Sequence, residues 1–357
     1  MIDLRPLGRR RLLAMLTTVP AVTRAGQLLA APPPAGTVPF PADPRLLVAG
    51  PEDGALNRWA DALLPALEQS LPPDTAIRRV EVGSADGVTA ANQFEVRGVP
   101  DGTTVLMVPG QAALAWMVGD PRAQFDVGHW VPVMVGLTSG IVVGRPDVMT
   151  KGGRVRVAAA SAASLDLPAL LGLPLLGVPI QPVFGITDIN AAHAAFAQGT
   201  VDVVFLHGQR VPDQFSGLAA AGAQPLFTLG TLDETGKPAR DPLFPDVAHF
   251  AELCEARTGR APSGPLYNAW RAVAAAAQLD FSLVLQQLTP AAMVALWRRA
   301  GTDATAALGV RVYSTALNVN LLPAPAAATN TAATAANAAT LTELRSWLAG
   351  QFNWRPA

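Results

Sequence analysis

The stretch Leu175–Gln209 reads LLGVPIQPVFGITDINAAHAAFAQGTVDVVFLHGQ and carries the clearest structural signal in the chain. A β-branched run over residues 178–183 predicts a short strand. Apolar residues at helical spacing follow over 189–197, and Gly199 stands where a glycine commonly ends a helix. A second β-branched run over 201–205 predicts a buried strand. The order strand, helix, strand predicts parallel strands joined by a right-handed crossover.

Two loops of this unit are placed to contact a ligand, because ligands of α/β sheets bind beyond the carboxyl ends of the strands. The first loop joins the first strand to the helix, which Thr187 or Asp188 can cap. The second loop follows the strand over 201–205. On spacing alone, the unit is also compatible with an ordinary repeat of an α/β fold that binds nothing. The ligand contacts predicted from these loops are Phe184, Gly185, His207 and Gln209.

Other short motifs strengthen the first interpretation, because together they resemble the substrate-binding proteins of tripartite tricarboxylate transporters, the Bug family. Residues 198–205 read QGTVDVVF, similar to the family's GQVDVMF. Residues 99–106 read VPDGTTVL, similar to PDGYTLL, and residues 125–133 read FDVGHWVPV, similar to YDxxxDFxPV. Residues 243–247 read LFPDV, similar to LPDVP. The motifs follow the family's order, and the resemblance runs from about Leu46 to Trp354.

The resemblance implies an α/β chain with the two-lobed periplasmic-binding-protein fold (type II). Each lobe would be a mostly parallel sheet flanked by helices, and crossover strands would join the two lobes. The implied ligand is a di- or tricarboxylate, an amino acid or a related small organic acid. An amine-bearing metabolite is expected instead if Glu52 or Asp53 points into the cleft. The resemblance also implies a periplasmic location, docking to membrane transporter subunits and no cofactor.

Residues 1–31 are predicted to be a signal peptide. Arg9–Arg11 form a basic segment, and the apolar run that follows to Val22 is too short to span a bilayer. The segment is similar to a twin-arginine signal, although Gly8 replaces the usual hydroxyl residue. A basic amphipathic helix is the alternative interpretation. Residues 32–44 are rich in proline and predict an extended linker.

The rest of the chain divides into two expected lobes. Lobe 1 is expected to comprise residues 45–138 together with 266–357, and lobe 2 residues 139–265. Within lobe 1, the Ala/Thr-rich tract 323–340 shows no hydrophobic period, which predicts a flexible insertion. Residues 269–278 leave two alternatives open. The family has a returning crossover strand there, whereas the alanines of this chain favour a helix.

Further candidate contacts lie in loops after other predicted strands, where backbone N–H groups and helix N-termini can hold an anion. The family carries PGGxxD where this chain has PEDG, so acids stand in place of two glycines. Glu52 and Asp53 either point to solvent and cap the following helix or change the ligand that is accepted. The candidates from these loops are Pro51, Glu52, Asp53, Gly54, Asp86, Gly110, Gln111, Ser161 and Ser164.

The composition excludes several classes of function. The chain has 357 residues, half of them hydrophobic, so it can bury a large core. Its formal net charge is −1 and its basic residues form no stripe, so nucleic acid is not an expected partner. Cys254 is the only cysteine, which rules out a disulfide within the chain and a cysteine-based metal site. Its place on an apolar helix predicts that it is buried.

The sequence also shows no pattern typical of catalysis. His129, His193, His207 and His249 lack the spacing of metal ligands. There is no GxSxG elbow, no P-loop and no GxGxxG motif. The expectation is therefore a binding protein without catalytic residues or a metal. The alternative is an enzyme or a sensory ligand-binding protein built on the same scaffold.

Overall fold

The computed structural model of the protein describes Phe40 and residues 43–150, 152–233 and 236–355. The predicted signal peptide, 1–31, and nearly all of the predicted linker lie outside these residues.

Strands and helices alternate along most of the described chain. The strands are β1 (Arg45–Ala49), β2 (Arg78–Val82), β3 (Thr104–Val108), β4 (Trp130–Leu137), β5 (Gly140–Gly144), β6 (Val155–Ala158), β7 (Ile180–Val183), β8 (Val203–His207), β9 (Gln224–Thr228), β10 (Thr231–Leu232), β11 (Pro238–Ala239), β12 (Leu279–Gln286) and β13 (Asn320–Pro323). The helices are α1 (Ala55–Gln69), α2 (Val88–Arg97), α3 (Gly110–Val118), α4 (Leu167–Leu175), α5 (Ile189–Ala197), α6 (Val211–Ala220), α7 (Phe250–Thr258), α8 (Pro265–Gln278), α9 (Ala291–Ala306), α10 (Leu308–Ala316), α11 (Ala324–Thr334) and α12 (Ala338–Phe352).

Two sheets organise most of these strands. The first has the order β13-β4-β12-β3-β1-β2, and the second has the order β7-β6-β8-β5-β9. β1 is parallel to β2 and β3, whereas β12 is antiparallel to β3 and β4. In the same way β6 is parallel to β7 and β8, whereas β5 is antiparallel to β8 and β9. The α/β class is confirmed, but each sheet is mixed rather than mostly parallel, because β12 and β5 run against their neighbours.

Residues 175–209 contain the predicted strand, helix and strand as β7, α5 and β8. Asp188 caps α5 by accepting the N–H groups of Asn190 and Ala191, each at 3.0 Å. Gly199 follows the helix in the left-handed conformation, with φ of 72°. β7 and β8 are both parallel to β6, which lies between them. The predicted parallel arrangement is confirmed, with one strand interposed.

The chain passes from the first sheet to the second between β4 and β5. Thr138 and Ser139 form this crossover, and both are buried. The chain returns through α8, which resolves the alternatives left open for residues 269–278. These residues are helical, because their small alanine side chains let α8 pack closely against α3, α4, α11 and α12. The strand of the first sheet, β12, begins only at Leu279.

The tract 323–340 is not the flexible insertion that was predicted. It contains α11 and the beginning of α12. Ala327 of α11 is fully buried, and the helix packs against β4, β13 and α8. Alanine has the highest helix propensity, and a row of small side chains lets a helix approach its neighbours closely. Because such a helix lacks large apolar residues at a regular spacing, the hydrophobic pattern of the sequence does not predict it.

The core of the first sheet forms around α1. Trp59, Leu63 and Leu67 are fully buried on one face of this helix, as their spacing predicts. The indole N–H of Trp59 donates to Asp280 Oδ2 at 2.6 Å, which ties α1 to β12. Cys254 on α7 is also buried, as predicted, and burial raises the pKa of its thiol to about 11. None of the helices in the described ranges has the length and apolar character needed to cross a membrane.

Candidate functional site

A cavity of about 400 Å³, here called the cleft cavity, lies where the carboxyl ends of β6 and β8 face the beginning of α3. Its wall brings together three of the predicted ligand contacts, Gln111, Ser164 and His207. Gln111 follows a strand of the first sheet, and the other two follow strands of the second. Other wall residues are Ala160, Asp166, Ile186, Thr187, Asp188, Ile189, Leu206 and Gln214.

The loop between β6 and α4 satisfies its own polar groups. Asp166 Oδ2 accepts the Ala160 N–H at 2.9 Å and lies 2.7 Å from Ser164 Oγ. The Ser164 hydroxyl also lies 2.9 Å from the Ser161 carbonyl oxygen, and these two acceptors compete for its single hydrogen. Ser164 was predicted as a hydroxyl donor to a ligand; its hydrogen is already engaged within the loop. Ser161 is exposed, and its Oγ accepts the Ala163 N–H at 3.3 Å.

His207 ends β8 and is partly buried in the cavity wall. Its ring stacks on Phe205, with centroids 5.3 Å apart and planes at 22°. Burial lowers the pKa of His207 because it disfavours the imidazolium, while the Asp166 carboxylate acts in the opposite direction. The lowered pKa favours a neutral ring at pH 7, which can donate one N–H and accept at the other nitrogen.

The N-terminus of α3 lies at the same cavity. A Cβ at Gly110 would lie 1.9 Å from the Ala276 carbonyl oxygen, so only glycine lets α3 begin this close to α8. Gly110 therefore has a packing role that its prediction as a ligand contact did not include. No side chain caps α3, so its first N–H groups keep their capacity to bind a ligand.

Gln209 joins the two sheets. Its side-chain amide donates to Asp280 Oδ2 at 2.8 Å. The main-chain carbonyl oxygen of Gln209 accepts from Asn318 Nδ2 at 3.2 Å. Asp280 also accepts the Trp59 indole, and burial raises the pKa of its carboxyl group. The amide of Gln209, predicted as a ligand contact, is thus engaged with β12. Sequence reasoning missed Asp280, because the boundary between α8 and β12 was left open.

The loop after β1 stands apart from the cleft cavity. The Pro51 carbonyl oxygen accepts from Asn57 Nδ2 at 2.7 Å and from the Gly54 N–H at 2.8 Å. Glu52 and Asp53 are exposed, are absent from the cavity wall, and their carboxylates form no hydrogen bond or ion pair with another described residue. Neither side chain caps α1. Glu52 and Asp53 therefore fit the alternative in which they point to solvent. The helix cap that this alternative included is not formed.

Asp86 has a structural set of partners. Its carboxylate accepts from Ser84 Oγ at 2.8 Å and from the Val88 N–H at 3.2 Å. It also forms an ion pair with Arg122 at 2.9 Å. These bonds outweigh the effect of burial and hold the pKa of Asp86 below its usual value. The charge of Asp86 is therefore neutralised locally, and the residue is absent from the wall of the cleft cavity.

Phe184 and Gly185 lie at the end of β7. Phe184 is exposed and packs edge-to-face on Phe352 of α12, with ring centroids 5.7 Å apart. Gly185 has a φ of 90°, so a larger residue there would be strained. Neither residue is in the wall of the cleft cavity.

Asp166 is a wall residue that sequence reasoning missed. A signal was present, since an acid two residues before Pro168 at the beginning of an apolar run is typical of a helix start. Among the described residues, no group of three His, Cys, Asp or Glu side chains could hold a metal ion. The chemistry that the cavity offers is hydrogen bonding to a small ligand.

Several solved structures share this fold over nearly their whole length. A TctC solute-binding protein from Polaromonas is 15% identical, with a TM-score of 0.62 over 88% of this chain and 99% of its own. An R. palustris protein with adipate is 14% identical, with a TM-score of 0.53 over 85% of this chain and 97% of its own. The periplasmic binding protein BugD is 14% identical, with a TM-score of 0.50 over 88% and 98%. No family model matches the sequence, and no curated protein sequence matches it significantly. The chain therefore has the fold of TctC and Bug periplasmic binding proteins, which the sequence motifs predicted.

Proposed function

We propose that this protein is an extracytoplasmic solute-binding protein that holds a small organic acid or related metabolite between two lobes and delivers it to a membrane transporter. The observation that carries the proposal is the cleft cavity, where Gln111 from the first sheet meets the loops after strands of the second. Pockets of this size at the carboxyl ends of strands are common ligand sites. The proposed lobes are residues 45–138 plus 266–357 and residues 139–265.

The polar groups of the cavity are compatible with a carboxylate. The uncapped N-terminus of α3 offers N–H groups and the positive end of a helix dipole. Neutral His207 can donate a further N–H. Asp166 and Asp188 each accept two hydrogen bonds from the protein, which offsets the charge they present to the cavity. The apolar part of the ligand would lie against Ile186, Ile189 and Leu206.

Two further observations support the proposal. The R. palustris protein of similar fold is bound to adipate, a dicarboxylate with an apolar chain. The basic segment Arg9–Arg11 with its short apolar run supports export, and a periplasmic location follows for a protein of this fold.

Calorimetric titration with a panel of dicarboxylates, including adipate, tests the proposal. Hexane-1,6-diol serves as the neutral analogue of adipate. We expect saturable binding of a dicarboxylate, with stabilisation of about 2.7 kcal/mol at a concentration of about 100 times its Kd. Gln111→Ala should weaken binding about tenfold, since it removes a hydrogen bond to a charged group. Gln124→Ala, at an exposed glutamine outside the cavity wall, should leave the affinity unchanged.

Two outcomes would contradict this function. If no carboxylate in the panel binds, the proposed ligand class is wrong. If a bound compound is converted to a product, as followed by mass spectrometry, the protein is an enzyme built on a binding-protein scaffold.

A further inference from the structure

A second and larger cavity, here called the crossover cavity, lies beside the connection between the two sheets. Its volume is about 750 Å³, within the range of small-molecule sites. Its wall includes the crossover residues Thr138 and Ser139, strand β10 with Asp233 after it, the residues before β13 and part of α11. It shares none of its wall residues with the cleft cavity. The crossover cavity is therefore a separate candidate for a binding site.

One buried carboxylate in this wall is only half satisfied. Asp241 is 1% exposed, and its Oδ1 accepts from Ser139 Oγ at 2.8 Å and from the Leu243 N–H at 2.9 Å. Its Oδ2 has no hydrogen-bond partner among the described residues. Burial raises the pKa of Asp241 because it disfavours the carboxylate, while the two hydrogen bonds act in the opposite direction. A buried oxygen without a partner is rare in native proteins, and a ligand that donates a hydrogen bond would complete it.

Three amide side chains of the wall also present acceptors to a ligand that donates hydrogen bonds. The side-chain nitrogens of Gln278, Asn318 and Asn330 each donate to a main-chain carbonyl group, at 2.6, 3.2 and 3.1 Å. Their amide oxygens remain as acceptors. Asp233 adds a second carboxylate, and the described wall contains no Lys, Arg or His. The cavity is thus rich in acceptors and negative in charge.

The apolar residues of the wall would cover a hydrocarbon chain. They are Leu137, Leu232, Pro242, Leu243, Val319, Leu322, Pro325 and Ala326.

We propose that the crossover cavity binds a small protonated primary amine, whose ammonium group donates to Asp241 Oδ2 and whose apolar chain lies along the leucine and proline side chains. The ammonium group supplies both the donor and the opposite charge that Asp241 lacks. A neutral alcohol of the same length supplies a donor without the charge, so it binds more weakly.

The test is calorimetric titration of the full protein with hexylamine, with hexan-1-ol as the neutral control. We expect saturable binding of hexylamine at pH 7 and at least tenfold weaker binding of hexan-1-ol. Asp241→Asn retains the shape of the side chain and should weaken the binding of hexylamine at least tenfold. Glu343→Gln removes one exposed charge on α12, outside the cavity wall, and should change the affinity by less than twofold.

A second variant keeps the proposal testable if Asp241→Asn does not fold. Ala326→Leu places a larger side chain of α11 in the cavity and leaves Asp241 unchanged. This variant should also weaken the binding of hexylamine. Equal affinity of both variants and wild type for the amine would overturn the proposal. Equal binding of hexylamine and hexan-1-ol would overturn it too. Loss of amine binding in His207→Ala, with retention in Asp241→Asn, would assign the amine to the cleft cavity and overturn the crossover site.

Discussion

Two aspartates between β5 and β12, Asp202 and Asp241, are both buried, but their hydrogen-bond partners differ. Asp202, before β8, is 2% exposed and receives the Arg156 side chain at 2.7 and 2.9 Å and the Arg156 main-chain N–H at 3.0 Å. The hydrogen bonds that Arg156 donates to Asp202 raise the pKa of the guanidinium. Asp241 is as deeply buried but meets only neutral donors, on one oxygen.

This difference in partners distinguishes a carboxylate that stabilises the fold from one that is proposed to bind a ligand. A buried charge that serves the fold is paired with an opposite charge, because an unpaired one is costly. Asp202 meets this condition within the chain. Asp241 does not meet it with any described residue, which is the observation behind the proposed amine site. The aspartates of the cleft cavity differ from both, because Asp166 is half-buried and Asp188 is exposed. Each has neutral donors on one oxygen only, and solvent can reach the carboxylate.

The largest effect should follow from removing the structural carboxylate. Asp202→Ala leaves the Arg156 guanidinium and main-chain N–H without their acceptor, and should cost about 3 kcal/mol of unfolding free energy. Urea unfolding measures this loss. Glu255→Ala, at an exposed site on α7, is the control and should change stability by less than about 0.5 kcal/mol. Equal losses in both variants would mean that Asp202 contributes nothing specific.

A smaller loss is expected at Asp280, whose partners are neutral. Asp280→Ala orphans the buried Trp59 indole N–H and releases Gln209, and should cost about 1–3 kcal/mol. Asp280→Asn keeps one acceptor oxygen and should stay within about 1 kcal/mol of wild type. Urea unfolding of the pair distinguishes the two roles. If Asn costs as much as Ala, the charge of Asp280 stabilises the fold, and the contrast with Asp202 is lost.

Asp241→Asn should show a small effect that depends on pH. The folded-state pKa of Asp241 is raised, so its contribution to stability is fully present below its unfolded pKa and is lost as pH rises through the folded value. Relative to wild type, the variant should therefore gain stability from pH 4 to pH 7, by about 1 kcal/mol. Unfolding curves at pH 4, 5.5 and 7 measure the change. A difference between the two proteins that stays constant with pH would show that Asp241 does not titrate in this range.

The smallest effects are expected at the exposed acids after β1. Glu52→Gln combined with Asp53→Asn should change stability by less than about 0.5 kcal/mol, because neither carboxylate has a partner among the described residues. Affinities for a dicarboxylate and for an amine-bearing ligand should both stay within about twofold, as measured by calorimetry. If the variant binds the dicarboxylate more tightly and the amine more weakly than wild type does, Glu52 and Asp53 contact the ligand.

Features that depend on near neighbours could be predicted from the sequence. The cap at Asp188 and the glycine at 199 each act on backbone groups a few residues away, at the two ends of α5. The β-branched runs on either side specify strands directly. Strand ends gave thirteen candidate contacts, of which Gln111, Ser164 and His207 line the cleft cavity. The order of the strands places a loop at an edge of a sheet, but it does not say which side chains of that loop face the cavity.

Features that depend on distant partners could not be predicted. Asp241 meets Ser139 across 102 positions, and Asp280 meets Trp59 across 221. No spacing within a short window carries such a pairing. The helix α11 escaped prediction for another reason, since its alanines are buried by small size rather than by a periodic apolar stripe.

The place of β12 in the first sheet also constrains how the chain can fold. β12 lies between β3 and β4, although the whole second sheet intervenes in the sequence. A chain that ends after β9 contains every strand of the second sheet, but it has nothing to place between β3 and β4. The second sheet can therefore form from one contiguous segment, whereas the first stays in two pieces until β12 joins them. Because unpaired strand edges bind other strands, the hazard of aggregation falls on β3 and β4 during that interval.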